Sequence, residues 1–204
     1  MVTTEGSQLS PLFRGAREAA PFVLLGLAAA SATVVTLASV RRRAGRPFAD
    51  AWGTAVIDVL LAASAVTIAA LTLPRSRQPR TVDLIPFTQI VAALRQTSVD
   101  LTLLAAVGNV LMFMPVGALV PLRFPRFDRL PRIVVLSAAL SVAIEVIQFV
   151  IGHHSSATDD VILNTLGGVL GYAAMRGGRI VLRGRAERRA AAPEAGPGSR
   201  RWPG

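Results

Sequence analysis

Two adjacent carboxylic acids, Asp159 and Asp160, stand directly before an apolar run, and the amide of Asn164 follows one turn into that run. At about 100° per residue, the preceding apolar run carries a polar stripe on one helix face: Ser137, Ser141, Glu145 and Gln148. Carboxyl groups can serve as general acids or bases. Glu145 and Asp160 are therefore candidate catalytic groups, although no motif here names a reaction and the enzyme class stays open.

The polar residues must be positioned by long apolar segments. Five nearly uncharged runs have about the length that a helix needs to cross the hydrocarbon core: 22–40, 51–73, 101–122, 132–151 and 161–175, the last extending to Leu182. These runs predict an all-α fold, a polytopic integral membrane bundle of about five transmembrane helices. The predicted parts are an N-terminal segment (1–21), the helical bundle (22–182) and an Arg-rich disordered tail (183–204).

All 22 basic residues are arginine, and the net charge is +10. If the N-terminus is outside, 16 arginines fall on the cytoplasmic side and six on the other, so the positive-inside rule predicts a multi-pass cell-membrane protein with its N-terminus outside and its C-terminus in the cytoplasm. Membrane lipids, not nucleic acid, are the expected partners. We expect no cofactor and no metal, because the chain has no cysteine and the adjacent His153 and His154 fit no ligand pattern.

In this topology Asn109, Glu145, Gln148 and Asn164 lie in the outer half of the bilayer, within about 13 Å of the outer helix ends at 1.5 Å rise per residue. Ionisable groups inside a membrane tend to face the bundle interior. We therefore predict an outward-facing intramembrane pocket, with Asn164 facing Glu145 and Gln148. It is lined by Asn109, Glu145, Gln148, Asp159, Asp160 and Asn164.

Simpler explanations exist for each of these residues. Asn164 can be a contact that only joins two helices, and Asp159 with Asp160 can cap a helix N-terminus. Asp58, on the second run, is expected to make a structural polar contact. A non-catalytic assembly protein and a small transporter are the alternatives to a binding protein.

Four segments, in this order, resemble the VanZ-like family of membrane proteins: DLIPF (83–87), GNVLMFMPVGALVP (108–121), EVIQF (145–149) and ATDDVILNTLGGVLGY (157–172). The resemblance covers about residues 80–176. Besides the polar residues above, it marks a structural motif of Pro86, Phe87, Phe113, Pro115, Gly117, Gly167 and Gly171.

The resemblance implies a cell-envelope protein, with an antibiotic-resistance link through a namesake that lowers susceptibility to teicoplanin. Two positions depart from the family: Asp83 stands where asparagine is common, and His154 stands where arginine is common. His154 is thereby added to the candidate pocket, as a poorer phosphate ligand than arginine. The leading hypothesis is a protein that binds a lipid or a lipid-linked cell-wall precursor, with Arg75, Arg77 and Arg80 holding phosphate in an enzymatic version.

Overall fold

The computed structural model describes the backbone of residues 6–72, 82–83, 101–151 and 156–191. Most of this part of the chain is helical: α1 (Gly6–Arg43), α2 (Phe48–Thr72), α3 (Leu101–Arg123), α4 (Leu130–Ile151) and α5 (Thr158–Ala191). A short 3₁₀ helix, Pro125–Phe127, lies between α3 and α4. Two-residue strands, β1 (Val82–Asp83) and β2 (Ser156–Ala157), pair in parallel. The predicted all-α helical bundle is confirmed.

Each predicted apolar run falls on one helix. Among the described residues, four segments are long and apolar enough to cross a membrane: Val23–Arg43, Phe48–Thr72, Ala106–Arg123 and Leu130–Val150. The fifth run, on α5, is less apolar because Asn164, several glycines and Arg176 interrupt it. Large apolar side chains such as Leu111, Val135 and Val150 are 58% to 72% exposed. Such extensive outward apolar surface suits hydrocarbon surroundings and not water.

Helix α5 is longer than the sequence predicts. It does not give way to a disordered tail at Arg183 but stays helical to Ala191, so the predicted boundary is wrong for residues 183–191. Arginine, alanine and glutamate are good helix formers, and extending an existing helix avoids the unfavourable nucleation step. Residues 192–204 lie outside the described part of the chain.

The chain divides into two compact units, with the boundary after Thr67 in α2. In the first unit, Gly45 makes the turn between α1 and α2 with a φ of 83°, a left-handed conformation that favours glycine. The Gly45 N–H donates to the Arg42 carbonyl at 3.0 Å, and the Arg46 N–H donates to the Arg41 carbonyl at 3.1 Å. This Schellman arrangement satisfies carbonyls at the end of α1 and turns the chain back.

The side chain of Arg41 joins α1 to α2. Ala38, Ala51 and Ala55 are fully buried. Arg41 pairs with Asp58 and also donates to Thr54 Oγ1 at 3.0 Å. The polar contact that the sequence predicts for Asp58 is thus made with the last turn of α1.

In the second unit, α5 packs against both α3 and α4. Helices α3 and α5 run in the same direction, since Asn109 contacts Asp160 near one end and Asp128, just beyond α3, contacts Arg179 near the other. Helix α4 runs in the opposite direction. Phe113 and Ile133 are fully buried in this unit.

Candidate functional site

The candidate residues meet at the end of the second unit where α3 begins, α4 ends and α5 begins. We call this the acidic end, and its members are Asn109, Glu145, Gln148, Asp159 and Asp160. Asn109, on α3, donates from Nδ2 to Oδ1 of Asp160 at 2.6 Å. This contact joins an amide and a carboxyl group from two parallel helices and places them at one level.

Both acids of the DD pair lie in the first turn of α5. Asp159 is only 1% exposed, whereas Asp160 is partly exposed. Negative charge near a helix N-terminus interacts favourably with the unpaired N–H groups and the helix dipole. The position of Asp159 and Asp160 in the first turn of α5 is therefore compatible with the predicted capping role and also with a binding role.

A short strand pair lies beside the start of α5. Val82 pairs with Ser156 and Asp83 with Ala157, which immediately precedes the helix. The long connection between α2 and α3 thus returns to the acidic end. Backbone pairing with β2 places β1 beside the start of α5. No residue pattern in the sequence indicated this pairing.

Glu145 and Gln148 are buried on α4, at 9% and 5% exposure. Gln148 donates from Nε2 to the carbonyl oxygen of Thr72 at 2.8 Å. Thr72 is the last residue of α2, where carbonyl groups lack partners within their own helix. Gln148 therefore satisfies a carbonyl at the end of α2, a partner that the sequence could not reveal because any residue type offers a carbonyl.

Asn164 has a hydrogen-bond partner on α4 that the sequence did not predict. Its Nδ2 donates to Oγ of Ser141 at 2.8 Å, one turn deeper along the polar stripe of α4. Asn164 is 4% exposed, and its Oδ1 has no hydrogen-bond partner. One turn further along α5, Gly168 lies against Ser137. The two helices are antiparallel, so the same four-residue step in the other direction, towards the start of α5, matches Asp160 with Glu145.

Glycines set the distance between α5 and its neighbours. A Cβ built on Gly171 would lie 2.0 Å from the Met114 carbonyl oxygen, and one on Gly167 would lie 2.2 Å from that of Val110. A Cβ on Gly117 would lie 1.8 Å from the carbonyl oxygen of Gly168. The family motif glycines are therefore close-packing residues, as small-residue spacing in membrane helices predicts.

The remaining motif residues divide into two groups. Phe113 is fully buried and Pro115 lies inside α3. Pro86, Phe87 and His154 lie outside the described residues, as do Arg75, Arg77 and Arg80. Across the described part of the chain, no group of three His, Cys, Asp or Glu residues is placed to hold a metal ion.

The sequence did not reveal the ion pairs at the other end of the unit. Arg179 of α5 donates to Oδ2 of Asp128 at 2.8 Å, and Arg176 lies 3.7 Å from the same oxygen. Asp128 follows the 3₁₀ helix, in the connection between α3 and α4. The two ends of the unit thus carry opposite charge.

Comparison with known proteins agrees with the motif resemblance. The family model described as VanZ/LLP1 matches residues 54–182, which begins earlier than the region of about 80–176 expected from the motifs. Protein VanZ of Enterococcus faecium is 36% identical over 83 residues, covering 37% of this chain and 51% of that protein. The chain therefore spans about half the length of this curated relative. No solved structure matches.

Proposed function

The chain is a membrane protein that belongs to the VanZ/LLP1 family, and we propose that its acidic end binds the polar headgroup of a lipid or of a lipid-linked cell-wall component. One observation carries the proposal. The Asn109–Asp160 contact, at 2.6 Å, brings an amide of α3 and a carboxyl group of α5 together, next in sequence to the buried Asp159, while α4 carries the buried Glu145. Carboxyl groups inside a membrane bundle are costly and commonly mark functional sites.

The chemistry of this end favours a ligand that donates hydrogen bonds. Ionised Asp and Glu carboxylates only accept hydrogen bonds. Hydroxyl, amide N–H and ammonium groups are the complementary partners. Lipid headgroups and the sugar or peptide parts of lipid-linked precursors carry such groups.

The orientation is part of the proposal. With the N-terminus outside, the acidic end faces the outer surface, where a cell-wall component is assembled, and the C-terminal end of α5 faces the cytoplasm. The arginine distribution supports this orientation. A link to teicoplanin susceptibility follows from the family resemblance and belongs to the proposal as a phenotype to be measured.

A matched pair of variants tests the binding role. Glu145→Gln keeps the size of the side chain and removes its charge, while Glu187→Gln makes the same change at an exposed position of α5. The protein is purified with its lipids, which are then identified by mass spectrometry. We expect a specific lipid with the unaltered chain and with Glu187→Gln, and its loss with Glu145→Gln at unchanged protein yield. Equal lipid profiles in all three preparations would remove the support for this function.

A second candidate is a non-catalytic assembly protein. It is favoured by the Asn164–Ser141 and Gln148–Thr72 contacts, because these amides are engaged in joining helices. In that case Glu145→Gln lowers the yield of folded protein without changing the lipids recovered from what remains. A catalytic role for Glu145 or Asp160 as general acid or base requires a different result. A variant such as Glu145→Gln should then keep full protein yield and lose the phenotype of the protein, such as its effect on teicoplanin susceptibility.

A further inference from the structure

Arginines crowd the end of the second unit opposite the acidic end. We call it the basic end. Its arginines come from the α3–α4 connection and from α5: Arg123, Arg126, Arg129, Arg132, Arg176, Arg179 and Arg183. Asp128 is the single acid in the connection between residues 123 and 132. The charge here is therefore strongly positive.

Asp128 holds two guanidinium groups with one oxygen atom. Arg179 lies 2.8 Å and Arg176 lies 3.7 Å from Oδ2, while Oδ1 is buried without a hydrogen-bond partner. One carboxylate thus faces two positive charges, and a net positive charge remains. The Arg176 side chain is 53% exposed, so its guanidinium lies near Asp128 and is open to an incoming anion.

Aromatic rings place the neighbouring arginines. The Arg123 guanidinium lies over the Phe124 ring at 5.2 Å, and that of Arg126 lies over Phe127 at 5.1 Å. Phe124 is 40% exposed. A cation over an aromatic ring is attracted by the negative face of the ring, so these contacts favour the observed positions of the two guanidinium groups.

Helix α5 carries the positive charge beyond the apolar run. Residues 183–191 remain helical, and four exposed arginines, at 183, 185, 188 and 189, accompany one acid, Glu187. These charges stand on an ordered backbone. The basic end is thus a structured surface next to the membrane and not only a disordered charged tail.

We propose that the basic end binds the phosphodiester group of an anionic phospholipid, with Arg176 as a principal contact. Guanidinium groups match phosphate oxygens in geometry and charge, and Asp128 holds Arg176 close to Arg179 in advance. The exposed Phe124 ring adds an apolar contact with the acyl region. This site is independent of the headgroup-binding proposal at the acidic end.

The test measures lipid binding to the full chain in detergent by native mass spectrometry. Dioleoylphosphatidylglycerol is titrated against dioleoylphosphatidylcholine, for the unaltered chain and for Arg176→Gln/Arg183→Gln. The control Arg43→Gln/Arg46→Gln removes the same charge from two exposed residues at the α1–α2 turn. We expect roughly thirtyfold weaker phosphatidylglycerol binding in the first double variant, little change in the control, and no such preference for phosphatidylcholine.

Several results would overturn the proposal: equal losses in the two double variants, equal binding of both lipids, displacement of phosphatidylglycerol by millimolar inorganic phosphate, or displacement by an oligonucleotide at physiological salt. The thermal midpoint without added lipid reports folding. If the glutamine variant does not fold, Arg176→Lys/Arg183→Lys keeps the charge but loses the guanidinium geometry, and we expect a clearly smaller loss of affinity than thirtyfold. A thirtyfold loss in a folded lysine variant would also contradict the proposal.

Discussion

The amide nitrogen of Asn109 lies 2.6 Å from Oδ1 of Asp160, 51 residues further along the chain. This contact fixes the axial register of α3 relative to α5 at the acidic end. Since the two helices are parallel, a second side-chain contact with the same separation, Asp128 with Arg179, closes the other end. The unit is thus held by polar contacts at both ends and by close glycine packing between them.

The first prediction concerns this contact directly. Asn109→Ala and Asp160→Ala, made separately and together, should show a coupling free energy of about 0.5 to 2 kcal/mol in unfolding measurements, the range for polar contacts between membrane helices. Thr165 offers a control, because its hydroxyl donates within α5 to Val161 at 2.7 Å. Asn109→Ala and Thr165→Val should be additive. Additivity of Asn109→Ala with Asp160→Ala would show that the contact contributes nothing.

The second prediction separates the two partners of the Asn164–Ser141 hydrogen bond. Ser141→Ala leaves Nδ2 of Asn164 buried without an acceptor, while Oδ1 already lacks a donor, so we expect a loss of about 1 to 2 kcal/mol. Adding Asn164→Ala should then cost little, because the unsatisfied amide is removed. Thermal unfolding of the single and double variants checks this order. Ser64→Ala is the control, since that hydroxyl donates to Leu60 in its own helix at 2.8 Å.

The third prediction concerns close packing between α3 and α5. In Gly171→Ala the new methyl group would lie 2.0 Å from the Met114 carbonyl oxygen, so the helices must separate, at a cost of about 1 to 3 kcal/mol. Gly178→Ala meets nothing within 4 Å and should be neutral or stabilising by up to about 1 kcal/mol. The thermal midpoint in detergent should fall in the first variant only. Equal midpoints would mean that α3 and α5 are not in contact at Gly171.

The fourth prediction concerns topology. Reporter domains fused after Gly45 and after Ala191 should give cytoplasmic signals, and a reporter inserted between residues 152 and 155 should give an extracytoplasmic one. The reason is the excess of arginine in the segments assigned to the cytoplasm. An extracytoplasmic signal after Ala191 would reverse the proposed orientation of both ends of the second unit.

Much of the architecture follows from the sequence alone. Apolar length located the helices, and the period of 3.6 residues placed Ser137, Ser141, Glu145 and Gln148 on one face of α4. The four-residue spacing of Gly167 and Gly171 is typical of close helix approach in membranes, and the structure places both where a side chain would collide with a neighbouring backbone. These features depend on neighbouring residues in the same helix, so a single sequence contains them.

Other features required the tertiary structure. Periodicity gives the angular position of a side chain but not the axial register between helices. The structure supplies that register, because Gly168 packs on Ser137 and Asn164 donates to Ser141. The acceptor for Gln148 is a backbone carbonyl, which no residue type marks. Asp128 and Arg179 meet because the parallel arrangement of α3 and α5 brings the α3–α4 connection to the end of the apolar run of α5. In each case the partner is set by how whole helices pack, a long-range property that local residue patterns do not encode.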